Sequence, residues 1–164
     1  MTDKTQKILD ILYTHRDTLR RTCMVYGVNF PESDDHVRTY MKYCIYDVLE
    51  CVKGDCTGTL KEVCEEIEAI FDNDWRKVEE LLKEEYREEL DELERQEKAY
   101  CDWESREYDL NYIIEAKTSK GIDCTYEQEQ LDKHIESDPD FPDPDRIEWL
   151  EKTIEKIEKN LKGE

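Results

Sequence analysis

The sequence contains no run of eighteen apolar residues and no stretch rich in glycine and serine. The first absence excludes a membrane-spanning helix, and the second excludes a flexible linker between independent domains. Apolar and polar residues nowhere alternate with period two, which excludes a sheet. The opening residues MTDKTQKILDILY lack the basic stretch, apolar run and cleavage site of a secretory signal. We therefore expect a cytoplasmic protein built from helices.

Catalytic and cofactor-binding motifs are also missing. The three histidines, His15, His36 and His134, have no recognisable serine or cysteine partner arrangement for nucleophilic catalysis. Adjacent carboxylates such as Glu84 and Glu85 are abundant, but catalytic carboxylates need burial to shift their pKa, and these fall on a solvated helix face. The sequence predicts a protein that is not an enzyme and that needs no cofactor.

Cysteine spacing does not favour a metal centre. The seven cysteines are an odd number scattered through helical patterns, which is typical of reduced thiols packed as small apolar side chains. The closest two, Cys51 and Cys56, are five positions apart, whereas zinc ligands usually pair two to four residues apart. The acidic stretch at 138–148 lacks the glycine of a calcium-binding EF-hand turn. No metal ligand is predicted, and a zinc site at the cysteines stays as the open alternative.

Negative charge is concentrated in the middle of the chain. The whole sequence has 44 acidic and 24 basic residues and a net charge of -20; residues 61–109 hold 20 acids against eight bases, or -12. Such a field repels nucleic acids and anionic membranes and attracts basic protein surfaces. We therefore expect a basic protein partner, and neither direct nucleic-acid binding nor membrane binding.

Apolar residues three and four apart predict an all-α helical bundle. The predicted helices cover about 4–26, 33–54, 59–71, 73–120, 123–137 and 143–161. Their ends carry recognisable signals: Gly27 as a C-cap, Ser33 as an N-cap, a capping box at 59–62 and Pro144 at a first helical position. We expect an N-terminal helical subdomain at 1–72 and, at 73–164, a long acidic helix with C-terminal helices folded back on it. A break of the long helix near 101–105 is left open.

The last predicted helix resembles one strand of a coiled coil. Its apolar residues recur at spacings of three and four over two heptads; they are Ile147, Leu150, Ile154, Ile157 and Leu161. This seam needs a helical partner, either the long charged helix of the same chain or a second copy. The protein is accordingly expected to be a monomer or a homodimer.

A ladder of glutamates on the long helix is the candidate partner-binding site. Residues three and four apart on a helix lie about 5–6 Å apart at Cβ, so their carboxylates can line up as phosphates do along a nucleic acid. The predicted site consists of Glu80, Glu84, Glu85, Glu88, Glu89 and Glu92. The corresponding function is inhibition of a nucleic-acid-binding enzyme, such as a nuclease or host-defence effector, by mimicry. The alternative is a structural or adaptor protein with helix–helix contacts, whose charge serves solubility.

Overall fold

The computed structural model describes residues 1–163, and between them it contains eight α-helices, one short 3-10 helix and no strand. The all-α prediction is confirmed. The α-helices are α1 Asp3–Thr14, α2 Arg16–Cys23, α3 Asp34–Tyr43, α4 Ile45–Gly54, α5 Lys61–Ile70, α6 Trp75–Ser119, α7 Thr125–Glu136 and α8 Pro144–Lys162, and the 3-10 helix is Met24–Tyr26. Within these residues no helix combines the length and the apolar character needed to cross a bilayer.

The first compact unit comprises Met1–Tyr86 together with the part of α8 from Thr153 onward. Its core is a cluster of fully buried aliphatic side chains in which α1 packs against α3 and α5. Representative members are Ile8, Leu12, Leu19, Val48, Ile67 and Ile157. The predicted subdomain boundary at 72/73 stays a prediction.

Two helices predicted to be continuous are broken. The expected helix at 4–26 is interrupted at His15, and the expected helix at 33–54 at Cys44. Neither residue has helical dihedrals, with φ -96° and ψ 14° at His15 and φ -122° and ψ 37° at Cys44. Each break lets the chain change direction around the core of the first unit while apolar spacing continues on both sides.

The capping box expected at 59–62 is also wrong. Helix α5 begins one residue later, and its N-cap is Leu60, whose side chain makes no capping bond. Instead, the Leu60 N–H donates to Oδ2 of Asp55 at 3.2 Å, so a carboxylate from the preceding turn satisfies this backbone group. Backbone N–H groups at a helix start lack an intrahelical acceptor, and here the acceptor is the carboxylate of Asp55, five residues before Leu60.

Helix α6 is unbroken over 45 residues, so the break considered near 101–105 does not occur. At 1.5 Å per residue the helix is about 70 Å long. Asp72 and Asn73, just before it, have left-handed backbone conformations with φ of 57° and 59°. Oδ1 of Asp74 then accepts a hydrogen bond from the Arg76 N–H and caps the first turn.

The second compact unit, Arg87–Lys152, is organised around the distal part of α6. Trp103 Nε1 donates to the His134 carbonyl at 2.9 Å, while His134 Nε2 bonds to the Trp103 carbonyl at 2.8 Å. The two rings stack with centroids 4.9 Å apart, and Leu110 and Leu131 are buried. These contacts hold α7 against α6.

The last helix begins as predicted, since Pro144 is its first residue and Oδ1 of Asp143 accepts from the Asp145 N–H at 3.0 Å. Three residues of the predicted seam, Leu150, Ile154 and Ile157, are buried in the single chain. Burial of the seam therefore does not require a second copy.

Candidate functional site

Three adjacent glutamate pairs lie along the first part of α6: 79/80, 84/85 and 88/89. Neighbouring residues on a helix point about 100° apart, so the two members of a pair meet different surroundings. In each pair one carboxylate binds another segment of the chain and the other lies at the surface. This division separates the six predicted site residues into two groups.

Glu79 is a buried carboxylate that ties α6 to α4. Its Oε1 accepts a hydrogen bond from Lys53 Nζ at 3.0 Å, and the same ammonium lies 5.9 Å from the centre of the Trp75 ring. A buried charge is tolerated only when it is paired and hydrogen-bonded. Glu79 therefore has a structural role, and its neighbour Glu80 is exposed.

Glu85, a predicted site residue, holds the start of α1. Its Oε1 accepts from the Thr2 backbone N–H at 2.6 Å and from the Thr5 hydroxyl at 2.8 Å. Thr2 is the N-cap of α1, and backbone N–H groups at a helix start lack intrahelical acceptors. A carboxylate placed there also interacts favourably with the helix dipole.

Glu89, another predicted site residue, forms a two-point ion pair with Arg146 of α8. Its carboxylate oxygens lie 2.7 Å from Arg146 Nε and 2.9 Å from Nη2. The guanidinium is nearly buried and lies 4.5 Å from the centre of the Trp149 ring. Such paired bonds combine charge with fixed geometry, so Glu89 fastens α8 to α6 within the second unit.

The other four predicted site residues are exposed; we call Glu80, Glu84, Glu88 and Glu92 the glutamate row. Successive members are four residues apart, a rise of about 6 Å along the helix. Among residues 1–163, no hydrogen bond or ion pair engages the first three carboxylates. Glu92 interacts with Arg95 at 3.0 Å and Gln96 at 3.2 Å on its own helix.

Two nearby basic residues, Lys77 and Arg95, are already engaged within the chain. Lys77 Nζ binds Oδ2 of Asp72 at 3.0 Å, and this hydrogen bond raises the pKa of the Lys77 ammonium and lowers the pKa of the Asp72 carboxyl. Arg95 donates through Nε to the Asp91 carbonyl as well as contacting Glu92. The glutamate row consequently keeps a negative excess that an external cationic surface can meet.

No family model, curated protein or solved structure matches this chain. Other chemistry-bearing side chains are separate from the row: His15 Nε2 lies 2.9 Å from Glu66, and His134 contacts Trp103. In the part of the chain that the structure describes, no three His, Cys, Asp or Glu side chains are grouped so as to hold a metal ion.

Sequence reasoning missed the partners of the engaged carboxylates. Lys53, Thr2 and Arg146 are separated from their glutamates by 26, 83 and 57 residues. The local sequence does not indicate such contacts, because every glutamate of α6 lies in a similarly charged stretch. Chemically, the exposed members offer acceptor oxygens for lysine and arginine side chains, the same groups that bind phosphates.

Proposed function

We propose that this chain is a non-enzymatic binding protein that presents the glutamate row to the basic, nucleic-acid-binding surface of a partner protein. The exposure of the four carboxylates supports the proposal, since three of them have no partner among residues 1–163. The helical backbone sets their spacing before binding, so little ordering is required of the row itself. The helix then serves as a recognition surface for the lysine and arginine side chains of the partner.

The partner class follows from the charge. A groove that binds nucleic acid is lined with lysine and arginine, and it accepts carboxylates in the positions that phosphates otherwise occupy. The net charge of -20 accelerates encounter with such a surface and opposes binding of the chain to nucleic acid itself. A nuclease or polymerase bound in this way would be inhibited, because its substrate and this protein would compete for one groove.

The test compares two charge-reversed proteins with the wild type. The first carries Glu→Lys at all four positions of the glutamate row. The second carries four Lys substitutions at exposed acids further along α6, namely Glu97, Glu104, Asp109 and Glu115. Each set of four substitutions raises the net charge by 8, from -20 to -12, so the two variants have the same net charge. Circular dichroism checks that helicity is kept, as expected from the similar helix propensities of Glu and Lys.

Each protein is immobilised and incubated with cell lysate, with and without added DNA, and the proteins that it retains are identified by mass spectrometry. We expect a nucleic-acid-binding enzyme to be retained by the wild type and the control, lost from the row variant, and released by DNA or salt. Inhibition of the purified enzyme by wild-type protein completes the test. If the folded row variant retains the same enzyme and inhibits it equally, the proposal is wrong.

A second candidate function, an adaptor with apolar helix–helix contacts, is favoured by a different observation. Tyr108 and Tyr112, one helical turn apart on α6, are 72% and 64% exposed, and Ile113 is exposed beside them. Large apolar side chains of this kind are common anchors in protein interfaces. The adaptor function predicts a partner whose binding persists at high salt, since apolar burial is not screened by ions. The double substitution Tyr108→Ser with Tyr112→Ser should abolish that binding.

A further inference from the structure

A cavity in the first unit lies between α3, α4, α8 and the turn after the 3-10 helix. Its volume is about 440 Å³, and small-molecule sites typically have about 300–1,000 Å³. The wall includes two tyrosines, two carboxylates and one ammonium, namely Tyr26, Tyr40, Asp47, Glu50 and Lys156. Positions 47 and 50 are three residues apart on α4, so they lie on one face of that helix. The cavity therefore combines the size of a ligand site with a charged wall.

Contacts within the chain hold α8 to α4 beside the cavity. Lys156 of α8 forms an ion pair with Glu50 of α4. One turn further along α8, the Asn160 amide donates to the Tyr46 hydroxyl at 2.8 Å. The two contacts fix this side of the cavity before any ligand binds, which lowers the entropic cost of binding.

The two tyrosines of the wall are also positioned by the fold. The Tyr40 ring meets the Phe30 ring edge-on, with centroids 5.4 Å apart. The Tyr26 ring packs against α4 at Gly54, where an added Cβ would lie 3.5 Å from its Cε1 atom. Gly27 then reverses the chain with φ 81°, a left-handed conformation that suits glycine. Both rings are thus part of a preformed wall.

The charges of the wall select the class of ligand. Two carboxylates and one ammonium give these side chains a net charge of -1, and the whole chain carries -20. An anion is therefore repelled, and an apolar molecule would desolvate the charged groups without replacing their hydrogen bonds. A cation with apolar groups fits both the carboxylates and the aromatic rings, because a positive charge against an aromatic face gains a cation–π interaction.

We propose that this cavity binds a free alkylammonium ion, with Asp47 and Glu50 neutralising its charge and Tyr26 and Tyr40 contacting its methyl or methylene groups. A free molecule fits better than a phosphocholine headgroup, because the same carboxylates repel the phosphate of the headgroup. Lys156 competes with the ligand for Glu50 and limits the affinity. The cavity wall is distinct from the glutamate row, so this site does not depend on the function proposed above.

The experiment titrates the full, isotope-labelled chain with choline chloride and follows the backbone amide shifts by NMR. Choline chloride replaces sodium chloride at constant ionic strength, since a chain with a net charge of -20 attracts any cation. The matched control ligand is the neutral alcohol in which a tert-butyl group replaces the trimethylammonium group of choline. We expect choline to cause saturable shifts at residues of the cavity wall and the alcohol to cause none at the same concentration.

Two double substitutions test the carboxylates. Asp47→Asn with Glu50→Gln changes the cavity wall, and Glu80→Gln with Glu84→Gln changes the glutamate row. Each raises the net charge by 2, from -20 to -18, so the two variants have the same net charge. We expect the first to weaken choline binding by at least about tenfold and the second by less than about twofold. The second variant also separates this site from the proposed function, which requires the row.

Substitution of Lys156 tests the site with the opposite sign. Lys156→Gln removes the competing ammonium, so choline should bind about threefold more tightly, a gain that damage to the fold would not produce. Lys152→Gln, at an exposed residue of the same helix, makes the same charge change and should have no such effect. Tyr26→Leu should weaken choline binding by about fivefold, whereas Tyr126→Leu on α7 should leave it unchanged.

The wild-type titration is decisive, so failure of a variant to fold leaves the test intact. The proposal is overturned if choline and the neutral alcohol cause equal shifts, or if the choline shifts lie outside the cavity wall. It is also overturned if the folded carboxylate variant binds choline as the row variant does. Phosphatidylcholine vesicles that shift the wall residues when free choline does not would reassign the site to a lipid headgroup.

Discussion

The paired carboxylates of α6 permit a matched test of which glutamates hold the fold. We predict that Glu89→Gln destabilises the protein and that Glu88→Gln does not. The two substitutions remove the same charge from adjacent positions of one helix, and Gln and Glu have similar helix propensities. They differ in surroundings, because Glu89 binds Arg146 at two points and Glu88 is exposed without a partner among residues 1–163.

The expected magnitude follows from the exposure of the two partners. Removing one member of a buried ion pair costs about 3–5 kcal/mol. Here the Arg146 side chain is 10% exposed but that of Glu89 is 42% exposed, so water and the remaining amide oxygen replace part of the loss. We therefore expect a loss of about 1–2 kcal/mol in the free energy of unfolding, or about 2–8 °C in melting temperature for a chain of this size.

Urea and thermal unfolding followed by circular dichroism measure both variants against the wild type. Glu88→Gln should change the free energy of unfolding by less than about 0.5 kcal/mol, as other surface substitutions do. Equal stability of the two variants would show that the Arg146 pair contributes nothing measurable. Greater destabilisation by Glu88→Gln would contradict the assignment of that carboxylate to the surface.

Three further predictions concern other contacts. Ile154→Asp should lower the free energy of unfolding by about 3 kcal/mol in urea titrations, since it buries an unpaired charge in the α8 seam. Trp103→Phe should cost about 1–2 kcal/mol and speed hydrogen exchange in α7, because the bond to the His134 carbonyl is lost. The hydrogen bond from Lys117 lowers the pKa of Glu127. The stabilisation from this ion pair is therefore present above the unfolded-state pKa and is lost as pH falls through the folded-state pKa. Glu127→Gln should accordingly lower the free energy of unfolding at neutral pH and flatten the acid limb of a stability–pH curve.

Conservative substitutions provide the controls. Ile154→Val should cost only about 1 kcal/mol, and a similar loss with Asp would argue against burial of that position. Tyr108→Phe, at an exposed aromatic residue of α6, should leave α7 exchange unchanged. Glu129→Gln, exposed on α7, should retain the wild-type acid limb, and an identical curve for Glu127→Gln would remove the Lys117 pair as a pH-dependent contact.

Helix ends were predictable where one residue dictates the backbone. Gly27 does adopt the left-handed conformation expected of a C-cap, and Asp143 with Pro144 does start α8. His15 and Cys44 were not predictable as breaks, because their dihedrals are open to any residue and result from packing around the core. Apolar spacing alone cannot reveal such a bend, since it continues in both flanking helices.

Which glutamates belong to the candidate site is only partly predictable from the sequence. Charge and periodicity identify α6 as the acidic surface and give the spacing of its carboxylates, which depends on helix geometry alone. They do not distinguish Glu84 from Glu85, because the choice depends on Thr2 and Thr5, more than 75 residues away. Separating surface from structural carboxylates requires the tertiary contacts.

The alternation of engaged and exposed carboxylates along α6 also determines how this sequence can change over generations. Substitutions at Glu79, Glu85 and Glu89 are filtered by folding, whatever the partner does. Substitutions at Glu80, Glu84 and Glu88 cost little stability, so under the proposed function it is selection for binding that retains them. If the chain binds the partner proposed above, a lineage that loses this partner should therefore keep one glutamate of each adjacent pair and let the other drift, leaving a record of the lost interaction in the sequence itself.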